Sequence, residues 1–181
     1  MVRTGRREAS GAGDDASARF PRVCLPLYSR LVPASRRKVR ELALQVLFVW
    51  DANASNDALL AAPILEDPSA GDEARRAASE MAAGAWNNRE AADKWVERLA
   101  PQWPPRRQPG VDRNLLRMAV YEMTHTDTPP KVVIDEAIEL AKAFSTENSP
   151  SFVNGVLDAV LKEHTALTSG SPNDETRNQN Q

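Results

Sequence analysis

Apolar residues recur at intervals of three and four along most of the chain between residues 36 and 164, a spacing typical of amphipathic α-helices. The pattern is strongest in the first such stretch, which has no helix breaker from Arg36 to Asp51. There the apolar side chains form one core-facing stripe: Val39, Leu42, Ala43, Val46, Leu47 and Trp50. Ser35 precedes the stretch as a candidate N-cap, with Pro33 just upstream.

Six further segments have the same spacing, and turn-forming residues separate them. They are residues 58–65, 72–86, 90–99, 112–126, 132–144 and 150–164. Asp112 is the expected N-cap of its helix, and Gly155 in the last helix predicts that another helix approaches closely there. No segment shows strand-like alternation, so the sequence predicts an all-α fold.

The net charge of −2 conceals a strong asymmetry along the chain. Residues 1–40 hold ten Lys or Arg against three Asp or Glu, whereas residues 41–181 hold thirteen against twenty-two. A basic front on an acidic body indicates a localised anion-binding edge and leaves an acidic surface for a basic partner protein. By composition, residues 1–34 form a disordered basic arm, residues 35–165 the folded domain and residues 166–181 a disordered polar tail.

Composition also excludes several functional classes. The single cysteine, Cys24, excludes an intramolecular disulfide and any zinc site built on several cysteines. No run approaches the roughly 20 apolar residues of a membrane span, and the apolar cluster at 23–27 is too short for a signal peptide. We therefore expect a cytoplasmic protein with no membrane segment, no metal and no cofactor.

No residue pattern in the chain supports catalysis. His125 and His164 are isolated, the eight glycines are scattered, and no pair of nucleophile and base can be nominated. Asp135, Glu136 and Glu139 form a carboxylate cluster, but on an amphipathic helix such a cluster is far more often a solvated face. We expect a binding protein without a small-molecule substrate, not an enzyme.

Two features of the first helix are not explained by folding. Its first turn carries Arg36, Arg37 and Lys38, with Arg40 close behind. Cations there oppose the helix macrodipole at a cost of ~0.3–1 kcal/mol each, and the lack of visible compensation suggests that an anion binds. The second feature is a sector opposite the apolar stripe, which should be solvated and which holds Arg37, Glu41, Leu44 and Phe48, flanked by Arg40 and Gln45.

This sector allows two interpretations. Arginines that neutralise phosphates, beside an aromatic ring that stacks on a base, are what single-stranded nucleic acid requires. Alternatively, the helix start is simply basic and solvated, and Phe48 packs under another helix. The residues of this helix alone leave both interpretations open.

Four blocks of sequence, in order and at their observed spacing, resemble the transcription antitermination factor NusB family. They are residues 36–45, 111–122, 132–142 and 152–158, with the sequences RRKVRELALQ, VDRNLLRMAVYE, VVIDEAIELAK and FVNGVLD. The resemblance extends over about residues 35–164. It implies an all-helical fold of two packed helical bundles.

The resemblance also implies a function. Members of this family bind the boxA element of nascent rRNA leader transcripts together with ribosomal protein NusE, and the complex loads onto transcribing RNA polymerase and suppresses termination. Carried over position by position, the family's RNA face falls on Arg37, Gln45, Phe48, Lys142, Phe144, Asn148 and Phe152. To these we add the basic residues of the first helix, Arg36, Lys38 and Arg40. The NusE contact falls near the fifth helix, with Asp112, Tyr121 and Glu122 as candidates.

The chain departs from the family's pattern at the expected RNA face. Phe48 stands where Tyr is usual, so stacking is kept but a hydroxyl is lost, and Asn148 stands where Asp is usual. Pro150 and Ser151 replace a polar or basic pair before Phe152. The loop before Phe152 is therefore expected to contact RNA differently.

Two alternatives come from other functional classes. One is the RNA-binding front domain of some rRNA methyltransferases, which shares this fold; it requires a catalytic domain, and residues 1–181 contain no cofactor-binding pattern. The other is a helical protein–protein adaptor in which the basic turn only improves solubility. RNA binding separates the adaptor from the RNA-binding protein.

Overall fold

Seven α-helices and one short 3₁₀ helix make up most of residues 33–169, the part of the chain that this computed structural model describes. The α-helices are α1 Pro33–Asn53, α2 Ala58–Leu65, α3 Asp72–Asn87, α4 Arg89–Leu99, α5 Gly110–His125, α6 Pro130–Phe144 and α7 Ser149–Ser169. The 3₁₀ helix, Pro105–Arg107, lies between α4 and α5. No strand occurs within the described range, and the predicted all-α fold is confirmed.

The helices pack as two bundles that share α5. On one side α1 lies along α3 and contacts α2; on the other side α6 lies along α7, which also contacts α4. α5 contacts α1, α3, α4, α6 and α7, and nearly all of its side chains from Asp112 to His125 are buried. The predicted stripe of α1 is buried throughout, from Val39 to Trp50. α5 is therefore the central element of the fold.

A network of charged side chains joins α1, α4 and α5. Arg117 donates to the carboxylates of Asp51 and Asp93 at 2.7 and 2.6 Å, and Arg113 Nε donates to Asp51 at 3.1 Å. Burial opposes ionisation of Asp51, but the hydrogen bonds from the two arginines outweigh it, so the pKa of Asp51 is lowered. The network fixes the end of α1 against the first half of α5.

Two helices begin before the residues that were expected to cap them. α1 begins at Pro33, so Ser35 lies inside the helix and not before it. α5 begins at Gly110, so Asp112 is its third residue. The carboxylate of Asp112 accepts hydrogen bonds from hydroxyls of the α6–α7 loop, a role that short-range sequence rules do not reveal.

The expected tails fall largely outside the described residues. Of the basic arm at 1–34, only residues 33 and 34 are described, and they begin α1. Of the polar tail at 166–181, residues 166–169 continue α7 and the remainder lies outside the described range.

The close approach predicted at Gly155 is wrong, and a different glycine makes one. A β-carbon on Gly155 would meet nothing within 4 Å, because this position of α7 faces outward. In α3, by contrast, a β-carbon on Gly84 would lie 2.2 Å from Cζ of Tyr121. Gly84 therefore lets the Tyr121 side chain of α5 pack directly on the backbone of α3.

Candidate nucleic-acid interface

A groove of about 330 Å³ opens between α1, α2, α5 and α6. Its lining is mostly apolar, with one carboxylate and one amide: Leu44, Phe48, Val49, Ile64, Val111, Phe144, Glu41 and Gln45. This volume is at the lower end of the range for small-ligand sites. The groove brings together Gln45, Phe48 and Phe144, three residues expected on the RNA face.

Phe48 lies at the edge of the core with part of its ring open to solvent. Its side chain is 45% exposed, and that of Phe144 on the same groove is 43% exposed. A β-carbon on Gly110 would be 3.0 Å from the Phe48 ring, so the first turn of α5 supports the ring from one side. The prediction that Phe48 lies outside the apolar stripe is confirmed. Two half-exposed aromatic rings on one groove suit the stacking of nucleobases.

The cations beside the groove are held only loosely. Arg37 is 45% exposed and lies 3.9 Å from the Glu41 carboxylate and 3.8 Å from that of Glu139. Lys142 donates to Glu139 at 2.7 Å, and this hydrogen bond lowers the pKa of Glu139. Exposed ion pairs of this kind contribute little to stability. Arg37 and Lys142 can therefore exchange a carboxylate for a phosphate at little cost.

Arg40 is not on the exposed face, which corrects its assignment to the RNA-binding set. Its side chain is 3% exposed, and Nε and Nη2 donate to the Glu122 carboxylate at 3.0 and 2.7 Å. Glu136 of α6 lies 3.5 Å away. Leu44 is also buried, so the exposed sector of α1 is narrower than predicted and contains Arg37, Gln45 and Phe48. The buried guanidinium joins α1 to α5 and α6.

The macrodipole does not require an external anion at the start of α1, which corrects a second expectation. Because α1 begins at Pro33, Arg37 and Lys38 lie in its second turn, where the field of the helix end has largely fallen off. Lys38 forms an ion pair with Asp67 at 2.8 Å, and hydrogen bonding to Lys38 lowers the pKa of Asp67. Arg36 is partly buried. Carboxylates of the chain itself thus balance much of this charge.

The loop between α6 and α7 is fixed from beneath by Asp112. Ser145 and Ser149 donate to the two oxygens of its carboxylate, the second at 2.8 Å. Asn148 in this loop is exposed, and Phe152 is half-buried against the core. Asp112 therefore holds in place the loop that presents Asn148 to solvent.

The three residues expected to contact the partner protein are all buried. Asp112 is 3% exposed, Tyr121 is 5% and Glu122 is 1%. Tyr121 stacks on His125 with ring centroids 5.0 Å apart, and Glu122 forms the ion pair with Arg40. These side chains hold α5 within the fold and do not form a docking surface, which corrects their assignment.

Sequence reasoning missed part of the groove. Ile64 from α2 and Val111 from α5 line it, and Gly110 supports the Phe48 ring. The dipeptide Pro109-Gly110 is typical of a turn, so the sequence does not indicate that Gly110 supports the Phe48 ring. Within residues 33–169, no helix is long and apolar enough to cross a membrane, and no group of His, Cys, Asp or Glu could hold a metal ion.

The fold and the groove define a class: an all-helical protein with an exposed aromatic and cationic face suited to single-stranded nucleic acid. The model of the NusB family matches residues 37–162, and the chain belongs to this family. The chain is 46% identical over 140 residues to the transcription antitermination protein NusB of Solibacter usitatus, and the alignment covers 72% of this chain and 90% of that protein. The corresponding protein of Symbiobacterium thermophilum is 42% identical, covering 71% and 90%.

Solved structures of similar fold agree. A structure of T. maritima NusB superposes with a TM-score of 0.66 at 36% identity, and the match covers 74% of this chain and 96% of that one. A structure of the antitermination factors NusB and NusE in complex with dsRNA superposes with a TM-score of 0.64 at 27% identity, covering 73% and 99%.

Proposed function

We propose that this chain is an RNA-binding transcription antitermination factor. It binds single-stranded, boxA-like sequence in nascent rRNA leader transcripts together with ribosomal protein NusE. In this role it joins the RNA polymerase antitermination complex and suppresses termination. It works in the cytoplasm and by binding alone, without a catalytic step.

The groove beside Phe48 carries the proposal. Two half-exposed rings, Phe48 and Phe144, lie on it, and the amide of Gln45 is exposed between helices that also present Arg37 and Lys142. Stacking on aromatic rings, hydrogen bonding by an amide and neutralisation of phosphates are the three interactions by which proteins hold unpaired nucleotides. A protein–protein adaptor has no need to keep these groups on one open face.

Fluorescence anisotropy with labelled RNA tests the proposal. The probes are a single-stranded boxA-like oligonucleotide, the same nucleotides scrambled, and the boxA-like strand annealed to its complement, each at two salt concentrations. We expect the single strand of boxA-like sequence to bind most tightly, with affinity falling as salt rises. Equal binding of all three probes would contradict recognition of sequence, and no binding of any probe at low salt would favour the adaptor.

NusE should strengthen RNA binding. The acidic body of the chain offers a surface for a basic partner, and a partner there relieves repulsion of the phosphates. We expect a coupling of ~1–3 kcal/mol that is reciprocal, so RNA raises the affinity for NusE by the same factor. Isothermal titration in both orders measures it, and equal RNA affinity with and without NusE would remove this part of the proposal.

A further inference from the structure

A third exposed aromatic ring lies outside the groove. Among the described residues, the aromatic side chains that are at least 40% exposed are Phe48, Phe144 and Trp103. Trp103 lies in the segment between α4 and α5, and the guanidinium of Arg107 lies over its ring, 5.0 Å from the centroid. Arg106 beside it has a side chain that is 73% exposed. None of these three residues is among those that line the groove.

The segment that carries Trp103 is held firmly. Gln108 is buried, and its Nε2 donates to the carbonyl of Trp103 at 2.8 Å. Arg113 Nη1 donates to the carbonyls of Pro105 and Gln108, at 3.1 Å each. Pro104 and Pro105 are buried as well. The exposed ring and the two arginines therefore stand on a fixed base, which lowers the entropy lost when a ligand binds.

The same base adjoins the Phe48 end of the groove. Arg113, which anchors the segment, also donates to Asp51, and Asp51 follows Phe48 by three residues on α1. Gly110, two residues after Gln108, supports the Phe48 ring. With at most about 3.6 Å per residue of extended chain, Arg107 lies within roughly 11 Å of Gly110. The segment is therefore within reach of a strand that continues from the groove past Phe48.

The charges of the segment are available to a new partner. Arg106 forms an ion pair with Glu97 at 3.0 Å, but both side chains are more than half exposed, so the pair contributes little. Arg107 rests on the Trp103 ring and donates to the Gln102 carbonyl at 3.4 Å, which is a long hydrogen bond. Neither contact satisfies the guanidinium groups as a phosphate would.

We propose that Trp103, Arg106 and Arg107 form a second contact patch for the same single-stranded RNA, next to the segment held in the groove. Trp103 stacks on one unpaired base, and the two arginines neutralise flanking phosphates. This inference rests on the proposed function, because it assumes that RNA occupies the groove. The patch lengthens the RNA footprint and favours transcripts that continue beyond the recognition element.

The test compares a short RNA, which contains only the boxA-like element, with RNAs extended by several nucleotides at the 5′ or 3′ side. The parent chain should bind one of the extended RNAs about tenfold more tightly than the short one, the gain expected from one stacked base. The variant Trp103→Ala/Arg106→Gln/Arg107→Gln should lose this gain while binding the short RNA as the parent does. Its salt slope on the extended RNA should fall by about 0.7 for each lost phosphate contact.

Arg89→Gln is the matched control, since Arg89 lies over Trp86 at 4.4 Å at the opposite end of α4. It should retain the gain, and the melting temperature of each variant shows that it is folded. The patch is refuted if extending the RNA does not raise the affinity of the parent, or if the triple variant keeps that gain. It is also refuted if the triple variant loses as much affinity for the short RNA as for the extended RNA. Failure of the parent to bind even the short RNA would instead overturn the proposed function.

Discussion

Arg37 and Arg40 lie three residues apart on α1 and have opposite environments. The Arg40 side chain is 3% exposed, with two hydrogen bonds to a Glu122 carboxylate that is itself buried. The Arg37 side chain is 45% exposed, and its nearest carboxylates are 3.8 and 3.9 Å away. Arg40 is therefore part of the fold, whereas Arg37 has only weak contacts on the surface.

The difference shows how little charge alone says about function. Three helical residues correspond to about 300°, so the two side chains point only about 60° apart around the helix. That small rotation carries Arg40 between α5 and α6 and leaves Arg37 beside the groove. The packing of neighbouring helices thus buries one member of a basic run and leaves another exposed.

Removing the buried arginine should have the largest effect on stability. Arg40→Ala leaves the Glu122 carboxylate buried without its guanidinium, and we expect a loss of ~3–5 kcal/mol in the free energy of unfolding. Urea unfolding measures it, with Arg37→Ala as the matched control that should change stability by less than about 0.5 kcal/mol. Equal unfolding midpoints for the two variants would erase the distinction between these residues.

Phe48 and Leu47 allow the same comparison between neighbours with apolar side chains. Leu47 is fully buried, so Leu47→Ala should cost ~2–5 kcal/mol of stability. Phe48→Ala should instead cost ~1–3 kcal/mol of RNA affinity and lower the melting temperature by only a few degrees. Phe48→Tyr should hold or improve binding. A large fall in melting temperature for Phe48→Ala, with the RNA affinity of the folded protein unchanged, would show that Phe48 serves the core and not RNA binding.

The exposed loop offers a smaller test of where phosphates lie. Asn148→Asp adds a negative charge beside the groove's Phe144 end, and at a few ångströms from a phosphate it should weaken binding by ~1 kcal/mol at low salt. The difference should shrink as salt rises, because exposed charges are screened. Anisotropy titrations across a salt series report both effects, and unchanged low-salt affinity would place this loop away from the RNA.

The smallest effect is expected for the exposed arginine itself. Arg37→Ala should flatten the dependence of log K on log salt by about 0.7, the value for one phosphate contact on a single strand. Its affinity at moderate salt should change only severalfold. An unchanged slope would show that Arg37 makes no phosphate contact, and the cationic edge would then have to lie elsewhere.

The periodic pattern predicted the core well because burial follows helical geometry. The stripe from Val39 to Trp50 is buried as expected, and α2 has the predicted bounds, Ala58–Leu65. Phe48 was placed on the exposed side by the same geometry. These are local properties, since each depends on the 3.6-residue period of a single helix.

The missed features depend on residues distant in sequence. Arg40 is buried by a carboxylate 82 positions away, and Asp112 accepts from hydroxyls 33 and 37 positions away. Gly84 and Gly155 both interrupt a helical pattern, but only Gly84 faces another helix. A sequence pattern marks such residues as unusual, whereas their roles follow from how the helices assemble.

The near-complete burial of α5 has a consequence for how the protein unfolds. Because α5 contributes to both bundles, neither bundle can open without exposing the same helix. The two bundles should therefore unfold together in one cooperative transition. Backbone amides of α5 should exchange with solvent only through global unfolding, and the short helix α2, in which only Ala61 is buried, should exchange sooner. The helix at the centre of the fold should thus set the lifetime of the groove that it helps to line.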